Sequence, residues 1–364
     1  MKTQENFKYF MLKEIFEQPD IFQKIISARM KGDDIVFEEL KNKEEKIENI
    51  KKIILLGCGS SFHSCLLGGY VIEELAKINC EAEYADEFVS REAVIEEGTV
   101  VIAMSQSGKT TDVLNAVKLA KEKGALIISI TNEQKSPLNE LSDVMINCQA
   151  GAEKAVAATK SFTAEVLQII FLAIKLGLSN NNLSQDKASK IIKEIKELPD
   201  MAEIVLRQSG QIEKLSSEFL KVQNLIILGK KYNYPIALEG AQKLKESAYV
   251  HAEGNSMEEF MHGSQAIINQ NFSCLFIIPQ DSVYEENMAV YKKLKVLEGK
   301  NIIIATEGDD NFKQENIISI PATGEIVSSL LSVISLQILS YYIAVHKGID
   351  LNNLRNISKY VEKK

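Results

Sequence analysis

Short runs of apolar, often β-branched residues recur along the chain and predict buried strands. Three runs lie in the first half and three in the second, and none alternates with polar residues, which is typical of parallel strands covered on both faces. Helical patterns such as Thr111–Lys123 separate the runs. The predicted strands are Lys52–Gly57, Val100–Met104, Leu126–Ile130, Leu225–Gly229, Cys274–Ile278 and Ile302–Ala305.

The two sets of strands predict an internal duplication. Each strand of the second set follows its counterpart by roughly 175 residues. Each set leads into a long apolar helix, Phe162–Leu176 or Ile326–His346, and we expect these helices to end at Gly177 and Gly348. Strands that alternate with helices predict an α/β fold in which each half is a doubly wound parallel sheet flanked by helices.

The length of 364 residues and the shifts in composition predict two sheet domains with three accessory segments. A break is expected at Glu17–Pro19 in the N-terminal arm, and Pro199 lies inside the connector between the sheet domains. The predicted segments are an amphipathic helical arm (1–45), a first sheet domain (46–180), a charged helical connector (181–220), a second sheet domain (221–348) and a polar tail (349–364).

Charge and cysteine content narrow the class of protein. The 42 Lys+Arg and 50 Asp+Glu residues give a formal net charge of −8, which argues against a nucleic-acid binder or an anionic-membrane binder. Five cysteines without a CxxC pair, and an N-terminus without an apolar core, favour a reducing, cytoplasmic location. The apolar run Ile326–Val345 contains five serines and a glutamine, so we interpret it as a buried helix rather than a membrane span.

Two loops after adjacent strands of the first half have the composition of an anion site. They are Ser105–Thr110 and Gly57–Ser61, which combine hydroxyls, flexible glycine and the backbone N–H groups of a following helix. Ala103 and Phe62 stand where the common nucleotide motifs require glycine. Ordinary strand–helix turns are the alternative, but two such loops together favour a phosphate site. The equivalent loops of the second half, 229–232 and 279–282, lack this pattern.

Candidate proton-transfer chemistry lies in the second half. Glu239, Lys243 and Glu246 share one face of a predicted helix over 237–246. That face is either a solvated, salt-bridged surface or a carboxylate held beside an ammonium for proton transfer. Taken alone, His262 in a glycine-containing turn is interpreted as a structural residue, and Lys359 in the tail is interpreted as a solvated side chain. The four histidines show no metal-ligand spacing, so we expect no metal.

Taken together, these segments resemble the isomerase half of glutamine–fructose-6-phosphate aminotransferase, which consists of two tandem sugar isomerase (SIS) domains. The resemblance covers nearly the whole chain in family order and is highly specific for the double-SIS fold. The matching stretches are Lys13–Pro19, Gly57–Ser61, Ser105–Gly108, Val156–Thr163, Tyr234–Gly240, Lys243–Glu246, His251–Glu253, and Arg355 and Asn356 with Lys359.

The resemblance implies a site for a small sugar phosphate, and it implies no cofactor. The residues that would hold the phosphate are Ser61, Ser105, Gln106, Ser107 and Thr110. Those that would lie at the sugar are Ser60, Val156 and Ala157, the last two through their backbone.

The resemblance also implies the reaction chemistry. Glu246 would move a proton between C1 and C2 of the sugar, with Lys243 and Glu239 beside it. His262 would open the sugar ring from the neighbouring subunit of a homodimer. Lys359 would form a Schiff base with the open-chain sugar, which acidifies the adjacent C–H bond.

Departures from the family pattern shape the expected reaction. The resemblance does not extend to a glutaminase half, and residue 2 is Lys2, so we do not expect these residues to release ammonia from glutamine. Lys109 replaces an acidic residue of the phosphate loop. The favoured function is an aldose–ketose isomerase or deaminase that converts glucosamine 6-phosphate to fructose 6-phosphate and ammonia. The alternatives are a fructosamine-6-phosphate deglycase, an isomerase of another amino-sugar or hexose phosphate, and a non-catalytic SIS module that senses sugar phosphate.

Overall fold

The computed structural model describes residues 7–32, 34–41, 43, 47, 49–269, 272–297 and 300–359, which group into two compact units. We call them the N-terminal sheet unit (Asp20–Glu153 and Lys160–Lys196) and the C-terminal sheet unit (residues 7–19, Lys154–Thr159 and Glu197–Lys359). The predicted domain boundaries stay a prediction. Residues 1–6, 33, 42, 44 and 45 of the predicted arm and 360–364 of the predicted tail lie outside the described residues.

The predicted break in the arm separates two helices. Helix α1 (Phe10–Phe16) belongs to the C-terminal sheet unit, and most of α2 (Gln18–Arg29) belongs to the N-terminal sheet unit. Pro19 lies in the first turn of α2, where its missing N–H costs no helical hydrogen bond. After α2 the short strands β1 (Met30–Lys31) and β2 (Asp34–Ile35) pair antiparallel, and a 3₁₀ turn follows at Glu38–Leu40.

The N-terminal sheet unit contains a five-stranded parallel sheet with strand order β4-β3-β5-β6-β7. Its elements, in chain order, are β3 (Lys52–Gly57), α3 (Ser60–Ala76), β4 (Asn79–Tyr84), α4 (Ala85–Ser90), β5 (Thr99–Ser105), α5 (Thr111–Glu122), β6 (Leu126–Thr131), α6 (Pro137–Leu141), β7 (Val144–Asn147) and α7 (Lys160–Ser179).

Helices α8 (Gln185–Arg207) and α9 (Ser209–Ser216) form the connector, with Pro199 inside α8. The C-terminal sheet unit then repeats the parallel topology, with strand order β12-β11-β10-β8-β9. Its further elements are β8 (Asn224–Gly229), α10 (Asn233–Ala248), β9 (His251–Ser256), β10 (Ser273–Ile278), α11 (Tyr284–Lys295), β11 (Lys300–Thr306), β12 (Ile317–Ile320) and α12 (Glu325–His346), with 3₁₀ turns at Ser217–Phe219, Glu259–Met261, Ser264–Ile267 and Asp310–Phe312.

The two sheets have the same topology. In each one the second strand of the repeat lies at an edge beside the first, and the third, fourth and fifth strands follow on the other side. This order is the flavodoxin-like doubly wound arrangement, in which ligands bind beyond the carboxyl ends of the strands. The predicted α/β duplication with two parallel sheets is confirmed.

The two long apolar helices are core elements. The most apolar window of α7 is 89 % buried and that of α12 is 94 % buried, although both helices are long enough to cross a membrane. Buried serines of α12 donate to carbonyls one turn back, as Ser332 does to Ser328 at 3.0 Å and Ser335 to Leu331 at 3.2 Å. Because these bonds satisfy the hydroxyls locally, serine is tolerated inside the core.

The predicted helix end at Gly177 is wrong, because α7 continues to Ser179. A Cβ atom on Gly177 would lie 2.4 Å from the carbonyl oxygen of Leu75, so the glycine serves a close approach of α7 to the end of α3. Gly348, by contrast, follows the end of α12 with φ +72°, which is the left-handed conformation typical of a helix terminus.

Candidate functional site

The loop after β5 is a compact hydroxyl cluster. The Ser105 and Thr110 hydroxyl oxygens are 3.0 Å apart, and the Ser105 oxygen also accepts a hydrogen bond from the Gly108 N–H at 3.1 Å. The Ser107 hydroxyl accepts from the Lys109 N–H at 3.2 Å, and Ser105 and Ser107 are buried. This cluster lies immediately before α5, whose first N–H groups lack helical partners.

Gly108 shapes the turn in this loop. Its φ is +60°, and a Cβ atom there would lie 2.3 Å from the Ser136 hydroxyl oxygen. Any other residue would therefore be strained and would push the loop away from Ser136. Gln106 is half-buried in the same loop, and its carbonyl accepts from the Asn132 N–H at 3.1 Å.

The second loop follows β3 and leads into α3. Gly57 allows the chain to turn back on itself, because a Cβ there would lie 2.7 Å from the Ser61 backbone. Ser60 begins the helix, and the Ser61 hydroxyl donates to Glu165 Oε1 at 3.0 Å. Since β3 and β5 are paired parallel neighbours, the two loops leave the same edge of the sheet.

Sequence reasoning missed Glu165. This carboxylate lies on α7, is only 1 % exposed, and accepts the hydrogen bond from Ser61. An acidic residue within the apolar helix Phe162–Leu176 was the available signal, because a buried carboxylate requires hydrogen-bond donors. Its charge also adds to burial in raising the pKa of Cys65.

The equivalent loops of the C-terminal sheet carry cations that are already paired. Lys231 Nζ lies 2.7 Å from Glu325 Oε1, and Ser282 donates to Glu325 Oε2 at 2.7 Å. Lys230 contacts the carboxylates of Glu258 and Glu286. The arrangement fits the sequence-based expectation that this half lacks the hydroxyl- and glycine-rich phosphate chemistry.

The acidic and basic face predicted on α10 is real, but it is not a solvated surface. Lys243 Nζ lies 3.4 Å from Glu239 and 2.6 Å from Glu246, and the side chains of Lys243 and Glu239 have no exposed surface. The solvated interpretation is therefore wrong for these two residues. Glu246 keeps 23 % of its side chain exposed, and its other oxygen accepts from Gln242 Nε2 at 2.8 Å.

Glu246 opens onto a small cavity of the C-terminal sheet unit, of about 280 Å³. The Arg355 guanidinium stacks at 4.0 Å over the Tyr249 ring, and the Arg355 N–H donates to the Tyr249 hydroxyl at 2.9 Å. The tail thus packs beside the cavity, with Leu351 and Leu354 buried. The cavity is lined by Lys245, Glu246, Tyr249, Val250, His251, Arg355, Asn356 and Ile357.

Lys359 is anchored rather than solvated. Its ammonium donates to the Ala155 carbonyl at 2.7 Å, beside the backbone of Val156 and Ala157. All of these residues belong to the C-terminal sheet unit. His262 lies after the 3₁₀ turn Glu259–Met261 with an exposed side chain, and its contribution to a partner subunit stays a prediction.

Each unit therefore gathers one part of the predicted chemistry. The N-terminal sheet unit holds the hydroxyl-bearing residues predicted to bind phosphate. The C-terminal sheet unit holds the carboxylates, the lysines, the histidine and the segment predicted to line the sugar. The members of the first set are Ser60, Ser61, Ser105, Gln106, Ser107 and Thr110; those of the second are Val156, Ala157, Glu239, Lys243, Glu246, His262 and Lys359.

Comparison with known sequences identifies relatives along nearly the whole chain. Glutamine–fructose-6-phosphate aminotransferase (isomerizing) from Chlorobaculum tepidum is 36 % identical over 359 residues, and the enzyme of that name from Bacteroides thetaiotaomicron is 38 % identical over 359 residues. In both cases the match covers 98 % of this chain and 58 % of the relative. The chain thus spans less than two thirds of the length of these relatives.

Solved structures also resemble this chain along nearly its whole length. The C-terminal domain of glucosamine-fructose-6-phosphate aminotransferase from Francisella tularensis superimposes with a TM-score of 0.92 at 30 % identity, covering 96 % of this chain and 99 % of that one. Glucosamine-6-phosphate deaminase from Thermotoga maritima gives a TM-score of 0.75 at 25 % identity, covering 97 % and 99 %. The SIS domain model matches residues 46–175 and 218–347, one match for each parallel sheet. By sequence and by fold, the chain belongs to the SIS domain family.

Proposed function

We propose that this protein is a phosphosugar isomerase that acts as a deaminase and converts glucosamine 6-phosphate and water to fructose 6-phosphate and ammonia. The observation that carries the proposal is the Glu246 carboxylate, which is held at 2.6 Å by the buried Lys243 ammonium and still opens onto a cavity. A positioned, partly exposed carboxylate is the group required to move a proton between adjacent sugar carbons.

The proposed reaction runs in balanced steps. Glu246 removes the proton from C2 of the open-chain amino aldehyde and returns a proton to C1. A second proton passes from the amine nitrogen to O1, so the aldehyde becomes a hydroxymethyl group and the C2 amine becomes an imine. The neutral amine of Lys359 attacks C2 and displaces ammonia, and water then hydrolyses the Lys359 imine to release fructose 6-phosphate. His262 has the role of opening the ring by proton transfer.

Binding of the phosphate is assigned to the N-terminal sheet unit. The hydroxyls of Ser61, Ser105, Ser107 and Thr110, the side chain of Gln106 and the backbone N–H groups at the start of α5 supply neutral donors for a dianion. Binding energy from the non-reacting phosphate holds the open-chain sugar for proton transfer. The Thermotoga maritima relative named as glucosamine-6-phosphate deaminase supports this substrate class.

The test combines a substrate panel with one conservative substitution. Purified protein receives glucosamine 6-phosphate, fructosamine 6-phosphates and hexose phosphates, while ammonia, fructose 6-phosphate and free amino acids are measured. Ammonia with fructose 6-phosphate supports the proposal. An amino acid with glucose 6-phosphate indicates a deglycase, and tight binding of fructose 6-phosphate without turnover of any compound indicates a sensor.

Glu246→Gln keeps the size of the side chain and removes the base. We expect kcat to fall by about 100-fold or more while affinity for fructose 6-phosphate changes by less than about two-fold. Glu253→Gln is the matched control, since Glu253 is an exposed carboxylate of the neighbouring strand β9. Equal loss of binding and turnover in Glu246→Gln would show that the role of Glu246 is misassigned.

A further inference from the structure

The segment Lys154–Thr159 carries the backbone predicted to line the sugar, and buried side chains hold both of its ends. Although it lies between Glu153 and Lys160 of the N-terminal sheet unit, it groups with the C-terminal sheet unit. The residues that hold it come from α1, from the first residue of α2, from α12 and from the tail. The Lys13–Pro19 motif, which has no place in the proposed chemistry, supplies two of them.

Glu14 holds the first end. Its carboxylate is only 3 % exposed, and it accepts hydrogen bonds from the Lys154 N–H at 2.5 Å and from the Ala155 N–H at 3.1 Å. The Lys154 ammonium lies 5.2 Å from the centre of the Phe10 ring on the same helix. A buried carboxylate with two backbone donors is a charge-assisted, rigid contact.

Gln18 holds the other end through a relay. Gln18 Nε2 donates to Gln337 Oε1 at 2.9 Å, and Gln337 Nε2 donates to the Thr159 carbonyl at 3.2 Å. Both glutamine side chains are fully buried, so the relay is shielded from competing water. The segment is therefore fixed at each end by a residue of the N-terminal motif.

Lys359 binds between these two points. Its ammonium contacts the Ala155 carbonyl at 2.7 Å, while Glu14 contacts the N–H of the same residue. Because a trans peptide is planar, the Ala155 carbonyl and the Val156 N–H point in opposite directions. A contact that fixes this carbonyl therefore fixes the direction of the Val156 N–H as well.

We propose that Glu14 is a positioning residue that sets the place of the Lys359 ammonium through the backbone of Ala155. The proposal deepens the proposed function and rests on it, because it concerns the lysine to which the imine is assigned. Glu14 acts at a distance: its carboxylate orients the peptide groups at Ala155, and the Ala155 carbonyl holds the amine beside the sugar-lining segment until substrate arrives.

Glu14→Gln is the variant that tests the contact, because an amide has one acceptor oxygen and would turn its NH₂ group toward a backbone N–H. Glu17→Gln is the matched control on the neighbouring turn, where Glu17 lies 3.6 Å from Lys13 with about a third of its side chain exposed. The readouts are amide hydrogen exchange at residues 154–156, the rate at which an amine-directed reagent modifies Lys359, and borohydride trapping of the Lys359 imine with fructose 6-phosphate.

In Glu14→Gln we expect exchange at residues 154 and 155 and labelling of Lys359 to accelerate by roughly ten-fold, and imine trapping to fall by a similar factor. Exchange in β3 and β5, and binding of inorganic phosphate, should equal those of Glu17→Gln. Exchange and labelling rates that match the control would overturn the proposal, as would acceleration spread evenly over the whole chain.

Lys359→Met provides a second approach if Glu14→Gln fails to fold. The contact between Lys359 and Ala155 predicts faster exchange at residues 155 and 156 in this variant, and unchanged exchange there would also overturn the proposal. Exchange and labelling require no substrate. If the wild-type protein turns over no sugar and traps no imine, the proposed function fails while these two measurements still decide the role of Glu14.

Discussion

The ammonium of Lys243 lies 3.4 Å from the carboxylate of Glu239, and neither side chain has any exposed surface. A second carboxylate, Glu246, lies 2.6 Å from the same ammonium and is partly exposed. Removing charges from water is costly, so a buried ion pair is stable only when both partners are present. One lysine therefore holds the buried partner and the proposed proton-transfer group in a fixed relation.

Lys243→Met should destabilise the protein strongly. The substitution keeps an unbranched apolar side chain but leaves the Glu239 carboxylate buried without its ammonium. We expect the free energy of unfolding to fall by about 3–5 kcal/mol, measured by urea denaturation monitored with circular dichroism.

Lys245→Met is the matched control for this prediction. Lys245 lies on the same helix but is exposed, so its loss should change stability by about 0.5 kcal/mol or less. In a second variant, Lys243→Met with Glu239→Leu, much of the stability should return because the buried charge is gone. Equal stability of Lys243→Met and Lys245→Met would contradict the buried ion pair.

The charged face of α10 could be predicted from sequence, but its burial could not. Spacing alone places Glu239, Lys243 and Glu246 on one side of a helix. Burial depends on α12, which packs so closely that a Cβ on Gly240 would lie 2.6 Å from a Leu336 methyl carbon. The partner helix lies far along the chain, so helical periodicity carries no information about this contact.

Some of the strands could be predicted from the sequence and others could not. All six predicted strands are confirmed, because each is an apolar run in the interior of a parallel sheet. The predictions missed the two edge strands of each sheet, whose sequences are short or rich in polar residues. Such strands are defined by pairing with a neighbour rather than by their own hydrophobic pattern. The missed strands of the two sheets are β4, β7, β9 and β12.

The hydrogen bonds that hold both ends of Lys154–Thr159 could not be predicted from the sequence either. Its contacts join residues 140 or more positions apart, such as Glu14 with Lys154 and Gln337 with Thr159. The presence of the Lys13–Pro19 motif does not indicate which backbone groups its side chains bind. Long-range hydrogen bonds of this kind follow from the tertiary packing.

Cys58 should be the most reactive thiol of the native protein. All five cysteines are outside disulfides, and Cys58 alone is partly exposed, between Gly57 and Gly59 of the predicted phosphate loop that follows β3. Burial raises the pKa of Cys65 and Cys148, and it raises that of Cys274 to about 12, so these thiols are protected from labelling. We expect one thiol to react rapidly with a maleimide, and saturating fructose 6-phosphate to slow that reaction by roughly ten-fold.

Cys58→Ser is the control for this labelling, because it should remove the rapid phase and leave the slow ones. Mass spectrometry of peptides identifies the modified residue. Labelling of Cys58 at the same rate with and without fructose 6-phosphate, under conditions where the sugar phosphate is bound, would move the phosphate site away from this loop.

Asp281 makes stability depend on pH. Burial raises its pKa to about 6, the Glu325 carboxylate adds to the rise, and the Val283 N–H and the Lys231 ammonium oppose it. Between the unfolded pKa of about 4 and the folded pKa, the native state therefore binds more protons than the unfolded state. The stability that this group contributes is present at low pH and is lost as pH rises through about 6.

Asp281→Asn should therefore stabilise the protein at neutral pH and have little effect near pH 4. The amide keeps an acceptor for the Val283 N–H, which lies 3.0 Å from Asp281 Oδ1, and removes the penalty for burying a charge. Since Asp281 is partly exposed, solvent screening limits the expected gain above pH 7 to about 1 kcal/mol, measured by urea unfolding at several pH values. Asp310→Asn, at an exposed carboxylate 2.8 Å from Lys313, is the control and should show no such rise. A gain for Asp281→Asn that is the same at every pH would mean that titration of this carboxyl is not its source.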